Sequence, residues 1–282
     1  MQQQRTVIFA GRWRETWVGA VVAFIVFGLR VVASAEPGAT QPAVKRPTTQ
    51  ASFANHPPLL TAEADDPAWR FVPTIEGLTA PLRTTTDDSA LPTQIRLLWD
   101  KDFLYVRFTC SGKQPYAPFG DQHDAKHYQG DAVEVFIDPV GDGRQYFEIQ
   151  LSPANGVLDQ NTLITATPEV DEDGALVPHL LQTDYWPNIG YDMPGLRTAS
   201  RVTGDGDAAV WTADLALPAA AVLHRLGKKQ FEPMEVRMNL LRYRWTGPID
   251  QPQRRLIPIN WSPTRFGCPH QSAGAMGTVQ LK

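Results

Sequence analysis

The chain has 282 residues, 43% of them apolar, with 26 basic and 30 acidic side chains and a formal charge of −4. That is enough apolar material for one large domain or two small ones. The acidic balance argues against nucleic acid as a partner, because neutralising phosphates demands basic patches.

Residues 1–35 read as a secretory signal peptide. Arg12 and Arg14 precede the apolar run from Trp17 to Leu29, and Ala33-Ser34-Ala35 supplies the small residues of a cleavage site. The run is shorter than the roughly 20 residues that span a bilayer, and no Cys follows the cleavage site to carry a lipid. The expectation is an exported chain, periplasmic or extracellular, with no stable membrane insertion after cleavage. Arg30 leaves an uncleaved anchor as the alternative. Cleavage would remove four of the 26 basic and one of the 30 acidic residues, leaving a charge of about −7. Residues 36–57, rich in Ala, Thr, Gln and Pro, read as a flexible linker, and 58–282 as one folded domain.

From there, short runs of period two separated by Gly, Pro, Asp and Asn dominate: 93–99, 103–110, 131–138, 146–151, 157–164, 198–203, 209–217, 234–243, 256–261 and 277–281. Strands at that spacing, without long helices between them, predict an all-β fold, an antiparallel β-sandwich of immunoglobulin-like or jelly-roll type. One short helix is predicted from Pro218 to Leu226, opening on Pro and closing on Gly227. Two long loops remain, 111–130 and 165–196. Their aromatic residues, Tyr116, Phe119, Tyr128, Tyr185, Trp186 and Tyr191, suit a ligand platform better than a disordered insertion.

The most informative stretch is Asp131 to Asp138 with Tyr146 to Leu151. Both halves alternate, and Val140-Gly-Asp-Gly143 is turn chemistry, so the pair predicts a β-hairpin with one buried and one open face. Matching the apolar faces sets Glu134 opposite Glu148, Phe136 opposite Tyr146 and Asp138 opposite Arg144. Like charges directly opposed are unfavourable, so a cation, a metal or the hydroxyls of a ligand is expected to compensate them. A solvated or arginine-paired face is the alternative. Asp131, at the strand's start, could bond neighbouring backbone N–H groups or a ligand. Cys110 and Cys268 could form one disulfide in an oxidising compartment or remain buried thiols.

Several of these segments resemble carbohydrate-binding module family 9 and the family 9-like sugar-binding domains. The resemblance lies in Asp65-Asp-Pro-Ala-Trp69, Ile95-Arg-Leu-Leu-Trp-Asp100 with Leu104-Tyr-Val-Arg-Phe108, and the Asp131–Asp138 strand. It continues in Trp211-Thr-Ala-Asp-Leu-Ala-Leu-Pro218, Met238-Asn-Leu-Leu-Arg242, Asn260-Trp-Ser-Pro-Thr264 and Gly277-Thr-Val-Gln-Leu281. It implies a β-sandwich that holds the end of a sugar between two aromatic rings. Tyr128 falls at the first of the two tryptophan positions and His270 near the second. Glu134 matches the family's hydrogen-bonding glutamate, whereas Glu148 stands where the best-understood member has an arginine, and Met276-Gly277 replaces an aromatic-Gly pair.

The resulting expectation is a non-catalytic carbohydrate-binding protein linked to polysaccharide binding or degradation. Its ligand would be a mono- or oligosaccharide or a polysaccharide chain end. Tyr128, Trp186 and His270 would supply apolar platforms, and Glu134, Glu148 and Arg242 hydrogen bonds. No cofactor is expected. Calcium at Asp171/Asp173 or Asp205/Asp207 is one alternative. Haem b in a DOMON-like electron-transfer domain is another, with Met193, Met238 or Met276 and His123, His127 or His270 as axial candidates. The third is a glycoside hydrolase using Glu134 and Glu148.

Overall fold

The computed structural model describes residues 46–81, 91–165, 168–170, 176–178, 185–264 and 276–282. Strand β1 (Thr48–Phe53) lies inside the stretch expected to be a linker, and both of its edges are used. Thr48–Ala51 pair in parallel with β14 (Gly277–Leu281), and Ser52–Phe53 pair in parallel with β2 (Thr93–Trp99). The linker expectation fails here because backbone groups, not apolar side chains, order this strand: its polar sequence buries only Ala51 in the core.

The remaining pairings of the large sheet are antiparallel. Asp100 Oδ1 accepts the backbone N–H groups of Asp102 and Phe103, each at 2.8 Å, turning β2 into β3 (Phe103–Ser111). Strands β4 (Ala132–Asp138), β5 (Gln145–Leu151) and β6 (Val157–Ile164) form a meander. A separate ribbon holds β7 (Pro168–Val170) and β8 (Leu176–Pro178), and β9 (Tyr185–Asn188) pairs with β6. Then follow β10 (Arg197–Thr203), β11 (Val210–Pro218), β12 (Met234–Trp245) and β13 (Leu256–Asn260). The strand order is β10-β11-β3-β2-β1-β14-β12-β4-β5-β6-β9, with β13 on β12. The fold is all-β as expected, but it is one curled mixed sheet, so the expectation of purely antiparallel pairing is corrected at β1.

The predicted helix is shorter than its sequence window. Pro218 leads into α1 (Ala219–Val222), a 3-10 turn over His224–Leu226 follows, and Gly227, at φ +66°, ends it.

The curl brings the inward faces of both halves into one core. Ile95, Leu97, Val106, Phe108 and Leu215 of one half join Val133, Val135, Ile137, Ile149 and Leu240 of the other. Each such side chain contributes about 1.5–3 kcal/mol when fully buried. Cys110 belongs to this core as a free thiol, with its pKa pushed up by burial; Cys268 lies outside the described residues. Arg242 also points inward, and its NH1 donates to Pro92 O, Thr93 Oγ1 and Ser111 O at 3.1, 3.2 and 3.3 Å. It ties one half of the sheet to the other. The described residues all fall in one compact unit, and Met1–Ala39 lie outside them. Among the described residues no helix is long and apolar enough to cross a membrane.

Candidate functional site

The β4–β5 hairpin forms as its sequence demands. Asp138 accepts the backbone N–H groups of Val140, Gly141 and Gly143 at 3.1, 2.8 and 2.8 Å, fixing the turn. Its register differs from the expected one by two residues: Glu134 faces Gln150, and Phe136 faces Glu148. A slip of two keeps every side chain on its own face, so Glu134, Phe136, Tyr146, Glu148 and Gln150 still share one surface. Register with β6 and β12 adds Gln160, Thr162, Leu241 and Tyr243 to it.

This face is covered rather than open. Phe136 and Tyr146 pack at 5.6 Å between ring centroids, and Ala132, Ile164, Leu241, Tyr243 and Met276 complete a second apolar cluster there. Glu134 and Glu148 are consequently buried. Glu148 Oε1 accepts the Gln150 side-chain amide at 2.6 Å, and its Oε2 accepts the Gln160 amide. Neither Glu134 oxygen has a hydrogen-bond partner of good geometry. Burial, reinforced by the charge of Glu148, pushes the Glu134 pKa well above the usual carboxylate range, and the Tyr243 hydroxyl draws it down only in part.

Tyr128 stands beside this group on the 3-10 turn His127–Gln129. Its backbone N–H donates to Gln150 Oε1 at 3.0 Å, and the residue remains 37% exposed. Partial burial and the Glu148 charge raise its phenol pKa. Trp245, at the end of β12, donates its indole N–H to Tyr128 O at 2.8 Å, and the Arg254 guanidinium lies 3.8 Å from the centroid of its ring. Alternation along β12 puts Trp245 on the face of Leu241 and Tyr243.

The structure brings together Tyr128, Glu134 and Glu148, and separates the others. Arg242 alternates with Leu241 and Tyr243 onto the core face. Trp186 is 60% exposed on β9, not in a loop; it pairs with Leu163, which lies on the opposite face from Gln160 and Thr162. His270 lies outside the described residues. Gln150, Gln160 and Trp245 were missed, although the parity of Glu148-Ile-Gln150 and of Leu241, Tyr243, Trp245 marks two of them in the sequence. Asp131 is a backbone acceptor, from Tyr116 N at 2.9 Å and Trp245 N at 3.0 Å. Of the haem candidates, Met193 and Met238 are core residues, Met276 packs on the covered face, and His127 is buried with Nε2 2.9 Å from Gln122 O. Asp205 and Asp207 are exposed at the turn before β11 and join no metal-sized grouping among the described residues; Asp171 and Asp173 lie outside the described residues.

The Tyr128 turn rests on Gly156. A Cβ there would come within 2.6 Å of Gly120 O and 2.7 Å of His127 Nε2. Gly156→Ala is therefore expected to cost about 1–3 kcal/mol through overpacking, read as a lower denaturation midpoint with an unchanged m-value. An unchanged midpoint would show that the turn yields freely.

Residues 61–170 match the family described as carbohydrate family 9 binding domain-like. No curated protein matches the chain. Among solved structures, a proposed carbohydrate-binding protein from Bacteroides uniformis ATCC 8492 is 12% identical, with a TM-score of 0.57, covering 84% of this chain and 100% of its own. A carbohydrate binding module family 9 from Caldicellulosiruptor kristjanssonii was solved with cellotriose, at 16% identity, TM-score 0.55, and 84% and 94% coverage. A module of the same family and organism was solved with glucose, at 17% identity, TM-score 0.54, and 84% and 96% coverage. The family 9 resemblance drawn from the sequence is thus shown for residues 61–170, the segment carrying Tyr128, Glu134 and Glu148, and the fold is shared over most of the chain.

Proposed function

We propose that this chain is an exported, non-catalytic carbohydrate-binding protein that takes a sugar ring at the rim of the β4–β5–β6–β12 face. One observation carries the reading: the part-exposed Tyr128 side chain stands beside the Trp245 ring at that rim, joined by the Trp245 indole N–H to Tyr128 O, and is held there by the buried Gln150, Glu148 and Gln160 group. A sugar's C–H face packs on such rings, while its hydroxyls must recover the hydrogen bonds they lose to water. Trp245 supplies the second ring in place of Trp186. The family match and the neighbours solved with cellotriose and glucose support this ligand class. In a two-layer sandwich reading of the curled sheet, the site lies on the outer side of one layer. Export rests on the signal-like residues 1–35, and a place in polysaccharide binding or degradation follows from the ligand class.

Isothermal titration with glucose, cellotriose, xylobiose and galactose tests the reading. At least one should give one-to-one binding, and Tyr128→Ala should weaken it about tenfold, as expected for loss of a stacked ring. No heat with any sugar, or parental affinity in both Tyr128→Ala and Trp245→Ala, would overturn it.

A further inference from the structure

Away from that face, three separate segments deliver ligand atoms to one point. His123 and Asp124 come from the connection between β3 and β4, Asp159 from β6, and Asp192 from the segment after β9. One ligand atom from each lies within 4.8 Å of all the others. An ion bound at about 2.0–2.3 Å places opposite ligands roughly 4–4.6 Å apart. The four atoms therefore span little more than a single coordination sphere before any ion draws them in. His123 Nδ1 is 3.2 Å from Asp124 Oδ1 and 3.7 Å from Asp192 Oδ1, while Nε2 is 3.5 Å from Asp159 Oδ1.

An acidic cluster alone would be unremarkable, since exposed carboxylates are hydrated at little cost. Asp159 is different. It is 1% exposed, its Oδ2 accepts the Met193 backbone N–H, and its Oδ1 has no hydrogen-bond partner. That unpartnered oxygen is the one facing His123 and the cluster. A buried acceptor without a donor is costly, and a protonated imidazole would neutralise only one of three carboxylates.

We propose that His123, Asp124, Asp159 and Asp192 form a binding site for one divalent cation. Mixed imidazole and carboxylate donors favour zinc or manganese over the all-oxygen preferences of calcium and magnesium. The bound ion pins the loop that leads to Tyr128 against β6 and the segment after β9.

The test uses the whole protein, stripped with chelator and dialysed, then titrated with Zn²⁺, Mn²⁺ and Ca²⁺ by calorimetry and followed by thermal denaturation. Zn²⁺ or Mn²⁺ should bind one-to-one, raise Tm, and bind at least tenfold more tightly than Ca²⁺. Asp159→Asn and His123→Ala should each weaken that binding at least tenfold. Asp192→Asn, at a residue whose side chain is 77% exposed and whose loss leaves the core intact, should do so without lowering the Tm of the stripped protein. No heat and no Tm shift with any ion would overturn the site. So would calcium binding as tightly as zinc, or parental affinity in the His123 and Asp192 variants.

Discussion

Asp214→Ala is expected to destabilise the fold by about 3–5 kcal/mol, the usual consequence of removing one side of a buried, two-pronged ion pair, with Asp66 Oδ2 left 4.0 Å from the guanidinium as a weaker second partner. Arg107 and Asp214 face each other across β3 and β11, both buried. Nε donates to Oδ1 at 2.6 Å and NH2 to Oδ2 at 2.7 Å, a two-pronged pair of planar groups. The remaining capacity is also used: NH1 donates to Glu63 O at 2.9 Å, Asp214 Oδ2 accepts Ala62 N at 3.0 Å, and the guanidinium sits 4.9 Å from the Trp69 ring centroid. The pair therefore holds the 62–69 segment onto the sheet. Against a typical total stability of about 5–15 kcal/mol, its loss would be severe. Urea denaturation of Asp214→Ala and Arg107→Ala measures it. The double variant Arg107→Met/Asp214→Leu separates the cost of a lone buried charge from the loss of the backbone ties, since it is expected to recover only part of the loss: Glu63 O and Ala62 N stay without their side-chain partners. If either single variant lost less than about 1 kcal/mol, the pair would not be holding this segment.

How much of this was legible in the sequence depends on which interactions fix each element. The hairpin was legible because Asp138 and the glycines after it carry their own turn chemistry. Its register was not, because a slip of two residues leaves every apolar side chain facing the core, and only the length of the turn distinguishes the two pairings. Arg242 was legible by parity, since Val236, Met238 and Leu240 precede it at even spacing on the core face, although its charge alone reads as a contact to hydroxyls. β1 was hidden because its pairing partners lie far along the chain and its side chains carry almost no apolar signal. The covering of the glutamate face was hidden too: period-two alternation shows which residues share a surface, not whether Phe136, Tyr146 and Tyr243 close over it. Trp186 sits on an edge strand whose Pro and Gly neighbours disguise it as loop.

Glu134→Gln is expected to stabilise the ligand-free protein at neutral pH by about 1–3 kcal/mol, the ordinary cost of a buried acid whose hydrogen bonding is incomplete, because the amide has no proton to take up on folding. The effect should depend on pH in a definite direction. With its folded pKa raised by burial and by Glu148, Glu134 keeps its proton in the folded state after the unfolded chain has released it. The folded state then binds more protons, so stability falls as pH rises from about 4.3, the ordinary glutamate value, through the raised folded value. Below that range both states are protonated and the contribution is constant. Asp131, Asp138 and Asp159 are also raised by burial, so the parent's whole profile cannot be assigned to one residue, and the difference between parent and variant is the quantity to measure. That difference should be small at pH 4, grow as pH rises above the ordinary glutamate value, and level off once the raised folded value is passed. A gain equal at every pH, or a loss at pH 8, would mean that Glu134 is not held protonated by this face.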